Sequence, residues 1–401
     1  MTKRVKTRLQ NKHDIEANWD QATNFIPLAG ELIVYDAVYD ASENPNGFKY
    51  ERFKIGDGKT NVNNLPFAQV QPDWNETDST KLEFINNKPA VKKGTGTDAV
   101  IIGDTTNNTA AGEYAVAEGC GSWALGSYAS SSGMRTIAYG NSSFAEGAGQ
   151  KEPITGWDDI EDPTSLTAED IVEKWNETFA EASDANNGMV ISAAVGDYSH
   201  VEGWGNLASA NATHAEGKHT QATETYAHAE GRSTKATAYA AHAEGRLTTA
   251  SAQTAHAEGY ETTASGAEGA HAEGYLTVAS NSSTHAEGRE TNATGYRAHA
   301  EGLKTIASGN NSHAEGDATQ AKGHNAHTEG ARTIADGSAS HAEGHGSIAE
   351  GNYSHSGGQD SQALGAWSFA HGLEAIAEGK NSFALGDGTY TYGKASYAEG
   401  T

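Results

Sequence analysis

A single cysteine, Cys120, in 401 residues excludes an intrachain disulfide and any zinc site built on paired cysteines. Cations are scarce as well: 27 Lys and Arg face 53 Asp and Glu, a formal charge of −26. A surface that acidic repels phosphate backbones, so nucleic acid is not an expected partner. Hydrophobic residues make up 36% of the chain, and alanine supplies much of that share, which leaves too little bulk for a large compact core. No window holds the roughly 18 apolar residues of a membrane span. The opening MTKRVKTRLQNKHDIEANW is basic but lacks the apolar stretch of a secretory signal. These absences leave a thin repetitive body filled by small residues, or a chain that completes its burial by oligomerising.

What the chain does have is a repeat. Histidines recur at His200, His214, His228, His242, His256, His271, His285, His299, His313, His327, His341 and His355, in steps of 14 with one step of 15. Most of them open the tetrapeptide His-Ala-Glu-Gly. Midway between them a second alanine keeps the beat, at Ala208, Ala222, Ala236, Ala250 and onward to Ala377. The unit is therefore seven residues, small-x-Ala-x-Gly-x-x, as in Ser312 to Gly316. Alternation over five residues reads as a strand, and the glycine with two polar residues as a corner. Two sevens make a coil, and coils stack as parallel strands about 4.8 Å apart. The expectation is a mainly β fold, a parallel β-roll (β-solenoid) of 14-residue coils.

Within Ser-His-Ala-Glu-Gly the alanine points inward, so His and Glu share the outer face. Stacking makes columns of His214, His228, His242, His256, His271, His285, His299, His313 and His341 beside Glu216, Glu230, Glu244, Glu258, Glu273, Glu287, Glu301, Glu315 and Glu343. The acidic surroundings predict protonated imidazoles alternating with carboxylates. The same slots near the ends hold Trp123 with Leu125, Val116, Phe144, Phe369, and Phe383 with Leu385, a pattern that suggests a buried surface. No His-x-His pair or HEXXH spacing points to a metal, and a dozen equivalent groups make a poor active site. We therefore expect no enzyme, no metal and no cofactor. A threonine column from Thr220 to Thr333 falls in the inward small slot and is assigned to the core. Cys120 is assigned to packing.

Residues 150–190 interrupt the pattern. Thr167 with Asp170 reads as a capping box, and Ile171, Val172, Trp175 and Phe179 form an apolar stripe, so a helix is predicted over about 168–182. Its stripe packs either on the solenoid flank or on a neighbouring chain, and Trp157, Trp175 and Phe179 are the candidate partner contacts. The acids Asp158, Asp159, Glu161 and Asp162 are the one cluster that a fibre-borne glycan hydrolase could use, though solvated loop acids explain them more cheaply.

Residues 1–70 have another texture, a small α+β module. Trp19 ends a candidate helix, Pro27 to Gly30 is a turn, and Glu31 to Tyr35 reads as a strand paired with Arg52 to Ile55.

Two resemblances follow. The paired seven-residue units, over about 110–149 and 192–401, resemble the head repeats of trimeric autotransporter adhesins of the YadA type. That resemblance implies a left-handed roll packed as a homotrimer, with the His/Glu columns and their apolar plugs at the intersubunit seam. No coiled coil or barrel anchor follows the repeats, and the stop at Gly400-Thr401 leaves open whether more chain follows or another element caps the last coil. The order Arg8-Leu9, Trp19, Gly30-Glu31, Lys54-Ile55-Gly56-Asp57-Gly58 and Leu65-Pro66-Phe67 resembles the N-terminal module of phage tail and tropism-determinant proteins. Asp73 to Asp78 and Phe84 to Pro89 resemble a tail-fibre linker. Gly56-Asp57-Gly58 alone also suits a plain hairpin turn.

Together the resemblances imply a phage tail fibre or tail-tip protein, made in the host cytoplasm without a signal peptide and placed on the virion. Residues 1–70 would attach it to tail or baseplate proteins, 71–109 would link, 110–149 and 191–401 would form the roll, and 150–190 the insertion. Its outer partner would be a host-cell receptor, a glycan among the candidates, with no membrane insertion. A non-viral bacterial surface adhesin is the alternative.

Overall fold

The computed structural model describes residues 12–14, 16–35, 52–65, 91–148, 160, 162–181 and 191–400. The chain divides into two units, Met1–Pro89 and Ala90–Thr401.

In the first unit, β1 (Lys12–Asp14) lies parallel to β2 (Leu32–Tyr35), and β2 lies antiparallel to β3 (Arg52–Ile55) with Leu32 opposite Ile55. The short helix α1, Glu16–Trp19, ends on the tryptophan as its sequence predicts. Trp19 packs with Ile33, Tyr35 and Val62 in a small core, and its Nε1 donates to Val34 O at 3.0 Å. The glycine-rich phrases meet here. Gly30 N–H donates to Gly56 O and Gly56 N–H to Glu31 O, at 2.7 and 2.8 Å. A Cβ on Gly56 would lie 2.3 Å from Leu28 O, so no side chain fits. Gly56-Asp57-Gly58 is thus not the tip of the β2–β3 hairpin; it follows β3 and closes on the Pro27–Gly30 turn. The Thr60 hydroxyl and the backbone N–H groups of Thr60 and Lys59 hold the Asp57 carboxyl down to about 2. Arg8, Leu9, Pro66, Phe67 and the 73–89 phrases lie outside the described residues.

The second unit is the predicted parallel β-solenoid. Each coil contributes one strand to a first sheet and one to a second. His214–Lys218 pairs in register with His228–Arg232, placing His on His, Ala on Ala, Glu on Glu and Gly on Gly. Seven residues later Gln221–Ala222 pairs with Lys235–Ala236 in the second sheet. Between the sheets, Ala215, Ala229 and Ala243 meet Ala222, Ala236 and Ala250, and Thr220, Thr234 and Thr248 fill the rest, all fully buried. The threonine column is core, as its phase predicts. The interior is narrow and takes a larger side chain only near its start, Ile101 opposite Ala117 and Val201 opposite Ala215, and each methyl withdrawn from water stabilises by about 0.8 kcal/mol.

Both corners place a residue in the left-handed region, for example Ala240 (φ 50°) and Leu247 (φ 59°). Their N–H groups donate to carbonyls of the coil before, Thr225 O and Arg232 O. The glycine of His-Ala-Glu-Gly is compelled by geometry: Gly245 has φ 109°, and a Cβ there would sit 2.2 Å from Gly259 O. The glycines of the corresponding slot after the second strand, such as Gly309 and Gly323, would bring a Cβ just as close to the next coil's carbonyl, 1.9 Å, but lack the positive φ. That slot admits Ala210, Glu224, Ala238, Ala252 and Asn281, so the left-handed backbone is what makes the first slot strict. The coil with one extra residue keeps His256 opposite His271, and the surplus is taken up at a corner where Glu268 and Gly269 both have positive φ.

The stack begins inside the stretch that the sequence assigns to the linker. Val100–Gly103 pairs in parallel with Val116–Cys120 and is itself flanked by the antiparallel strand Val91–Lys93. At the interruption, α2 (Ala168–Glu181) starts at the expected cap: Thr167 N–H and Oγ1 both donate to Asp170 Oδ2 at 2.8 Å. Ile171 and Trp175 are fully buried against Ile137, Ile191, Val195 and Leu207 of the roll. Of the two possibilities for the stripe, the flank of the roll takes it. Trp175, offered as a partner contact, is corrected: its ring has no exposed surface, and its Nε1 donates to Ile191 O at 2.9 Å. Trp157, Asp158, Asp159, Glu161 and the side chain of Phe179 lie outside the described residues, and Asp162 caps the turn at Thr164.

Candidate functional site: the histidine and glutamate face

The first sheet turns its histidines outward in one file. Successive rings from His200 to His341 are parallel within 1 to 10° and 4.7 to 4.9 Å apart. The spacing is the strand spacing of the sheet itself, since in-register parallel pairing stacks identical residues. Beside each ring stands the glutamate two residues on. Nε2 to Oε2 distances are 3.8 Å for His214 and Glu216, 3.5 Å for His299 and Glu301, and 4.0 Å for His285 and Glu287. Imidazole and carboxylate therefore form the two parallel files that the repeat predicts, each ring beside the carboxylate two residues on.

The expected protonation is corrected. Burial, followed by the neighbouring imidazoles, pushes His200, His228, His256, His271, His285, His299, His327 and His341 below the ordinary histidine value, against the opposing pull of the glutamates. Burial is the largest cause, and with the stacked imidazoles it outweighs the glutamates of the same and adjoining coils.

The column's Nε2 atoms are its most telling feature. From His200 through His341 every one is shielded from solvent and has no hydrogen-bond partner among the described residues. The rings as a whole remain about a third exposed, 34% for the His214 side chain and 37% for His313. A shielded, unsatisfied nitrogen costs about 1–3 kcal/mol, and here the cost repeats coil after coil.

Among the described residues, four sets bring three metal-binding groups together, His271, Glu273 and His285 being one, with donor atoms within 4.8 Å of one another. Two imidazoles on one tetrahedral zinc stand roughly 3.4 Å apart, given Zn–N bonds of ~2.1 Å. The stacked rings are wider apart than that at 4.7 Å, so the file would have to bend to chelate one ion through neighbouring histidines.

Aromatic rings close the file at both ends. Phe144 meets His200 edge-on at 5.0 Å, and His355, Phe369 and Phe383 continue the stack at 4.9 and 5.4 Å. Leu385 stands in the glutamate file, opposite His371. Trp123 does not belong: its register partners are Thr109 and Ile137 in the second sheet, where it packs beside the Ile171 and Trp175 cluster. The signal was in the sequence, because Ala124 is 84 residues before Ala208, an even number of sevens, and so shares the second-sheet phase. Cys120, assigned to packing, is exposed, with Sγ 3.5 Å from Asp104 Oδ2.

One set of residues escaped the sequence reading. Tyr114, Tyr128, Tyr198, Tyr226, Tyr353 and Trp367 all occupy the left-handed position of the corner that leads into the histidine strand, and all are exposed. Their common phase in the 14-residue beat was the available sign.

Comparison with known families meets the geometry at this point. The sequence profile of the YadA head domain repeat matches residues 286–312, 300–319, 329–354 and 356–389. A search of curated proteins gives no match. Over the matched residues, the coils that carry the later histidines and glutamates are similar to YadA head repeats, and that similarity points to a trimeric-adhesin-like protein.

Proposed function

We propose that the protein is a homotrimeric, non-enzymatic fibre component of a phage tail fibre or tail tip, in which the roll spaces or presents a host-binding surface. The uniform files of His and Glu, whose side chains stay about a third to a half exposed, carry this reading. A second and third copy laid along the face would cover those exposed edges, and the similarity to YadA head repeats supports a trimer independently. Phe144 at one end and Phe369 with Phe383 at the other would close the seam with apolar contacts. His214 to His341 and Glu216 to Glu343 are then interface residues, and metal and cofactor play no part. Three copies per fibre and several fibres per particle would multiply weak receptor contacts. The convergence of Gly30, Glu31, Gly56, Asp57 and Gly58 on one turn supports residues 1–70 as the module that docks on other tail or baseplate proteins. The head repeats themselves favour the second reading, a bacterial surface adhesin.

Light scattering on the purified chain should return three times 41.9 kDa, with rods in negative stain. Replacing His242, His256 and His271 together by lysine should reduce the mass to one chain while the circular dichroism of the roll persists. A monomeric unaltered chain would overturn the trimer. Gold-labelled antibody against the roll, found on particle tails or on the bacterial envelope, separates the phage reading from the adhesin one.

A further inference from the structure

The corner leading into the histidine strand differs from its opposite number in one respect. Its left-handed position holds Tyr or Trp at six places, whereas the other corner has Arg135, His219, Ser233, Leu247, Glu261 and similar residues there, with no Tyr, Trp or Phe among the described residues. Left-handed backbone is costly for bulky side chains. Coils of the same roll put Asn311, Asn325, Asn381 or Ala212 at this position, so the backbone does not demand an aromatic.

Two of these residues flank a groove. Tyr128 and Tyr198, 61% and 70% exposed, directly follow Ser127 and Asp197, which line a groove of about 520 Å³ between the roll and the start of the α2 insertion. That volume lies in the range of small-molecule sites. Between the tyrosines comes the coil carrying Ser142, so they stand two coils apart, about 9.6 Å, with a small side chain in the gap. The groove combines an apolar wall of Leu125, Tyr139 and Leu166 with a polar ladder of Asn141, Asp197 and Asn211.

In that ladder Asn141 Oδ1 accepts from Ser127 N–H, Asp197 Oδ1 from Asn141 N–H and Asn211 Oδ1 from Asp197 N–H, at 3.1, 2.7 and 3.0 Å. Asn141 Nδ2, Asp197 Oδ2 and Asn211 Nδ2 are left without partners among the described residues, giving a donor, an acceptor and a donor in consecutive coils. Among the described residues that line the groove there is no lysine or arginine, and Asp197 is the one carboxylate.

We propose that this groove binds an uncharged glycan, with one pyranose ring entering over Ser142 between Tyr128 and Tyr198. A pyranose pairs an apolar C–H face, which suits aromatic rings, with a rim of hydroxyls that both donate and accept, which suits the Asn–Asp–Asn ladder. The missing cations and the charge of −26 turn away sialylated, sulfated and phosphorylated ligands. The assignment rests on the reading of the chain as a host-contact protein and gives that contact a place and a ligand class.

Saturation-transfer NMR on the full chain tests it, with hexasaccharides of glucose, galactose and N-acetylglucosamine as probes and sialyllactose as the anionic control. Transfer is expected to at least one neutral probe and not to sialyllactose. Tyr198→Asn, a residue this corner already accommodates, and Ser142→Tyr, which fills the gap, should each weaken binding by about tenfold, the effect of losing roughly 1.4 kcal/mol. Tyr353→Asn, at the same corner position in a distant coil, should leave it unchanged. No transfer from any neutral probe, stronger transfer from sialyllactose, or indifference to both groove variants would each overturn the site. Light scattering on the same samples keeps the readings apart: a trimer that binds no sugar sinks the groove alone, and a monomer that binds sugar sinks the seam alone.

Discussion

The two sheets of the roll come from one coil, half a turn apart, and they have diverged. Outside the core, the first sheet repeats His and Glu through eleven stacked histidines from His200 to His341, whereas the second shows Gln221, Lys235, Thr249, Val278, Asn292 and Ile306 in the same relative slot. Backbone pairing does not explain this, since both sheets pair in parallel and in register. The difference teaches that uniformity is demanded by something other than the fold. A face that meets only water tolerates variety, and the second sheet shows it, turning apolar at Ile137 and Leu207 where α2 covers it.

The comparison is broken most severely through glycine. Gly245→Val on the first side puts a branched side chain where even a Cβ lies 2.2 Å from Gly259 O at φ 109°, and should cost at least about 5 kcal/mol. Ala252→Gly in the matching slot of the second side should shift the melting midpoint by only a degree or two. Similar losses from the two changes would show that the sides are equally tight.

Next comes Trp175→Ala, with an expected cost of about 3–5 kcal/mol confined to the second-sheet flank. Hydrogen exchange should rise over 162–208 while the coils beyond 228 keep their protection, because a stacked repeat communicates only with its neighbours. Loss of protection along the whole roll would contradict that independence.

The mildest test is pH, and it acts on the first sheet. Imidazoles held below the ordinary histidine value bind protons more readily once unfolded. Their contribution is complete above about 6.5 and declines as pH falls below it. The melting midpoint should drop by a few degrees between pH 7.5 and 5, and changing His228, His256 and His285 to Gln should flatten that slope. A midpoint that rises on acidification would mean that the glutamate files dominate after all.

Much of this was legible in the amino-acid order. The seven-residue beat fixes strand, corner and inward alanine because only one phase puts small residues in so narrow a core. Thr167 with Asp170 announced α2, since a capping box is a local interaction. What escaped depended on relations beyond the unit. Trp123 was given to the wrong sheet because phase had not been counted in pairs of sevens. The opening coil at Val100–Gly103 escaped because Val-Ile-Ile-Gly replaces the alanine signature while keeping its geometry. The protonation of the histidines was misjudged because burial and ring-on-ring contact follow from stacking, which no single repeat displays. The Tyr128 and Tyr198 groove needs residues more than 40 apart in sequence, Thr164 and Leu166 with Asn211, and no local pattern joins them.

The coil of 15 residues between His256 and His271 keeps its register by placing the surplus at a corner. Neighbouring coils are therefore matched strand to strand while a corner takes up the surplus, Gly269 N–H still donating to Gln253 O of the coil before, and a whole coil added or removed would keep the same joint. Each such change alters the length of the roll by about 4.8 Å. The number of coils thus sets the reach of the roll in equal increments, with the register of the His/Glu files and of the alanine core the same at every length.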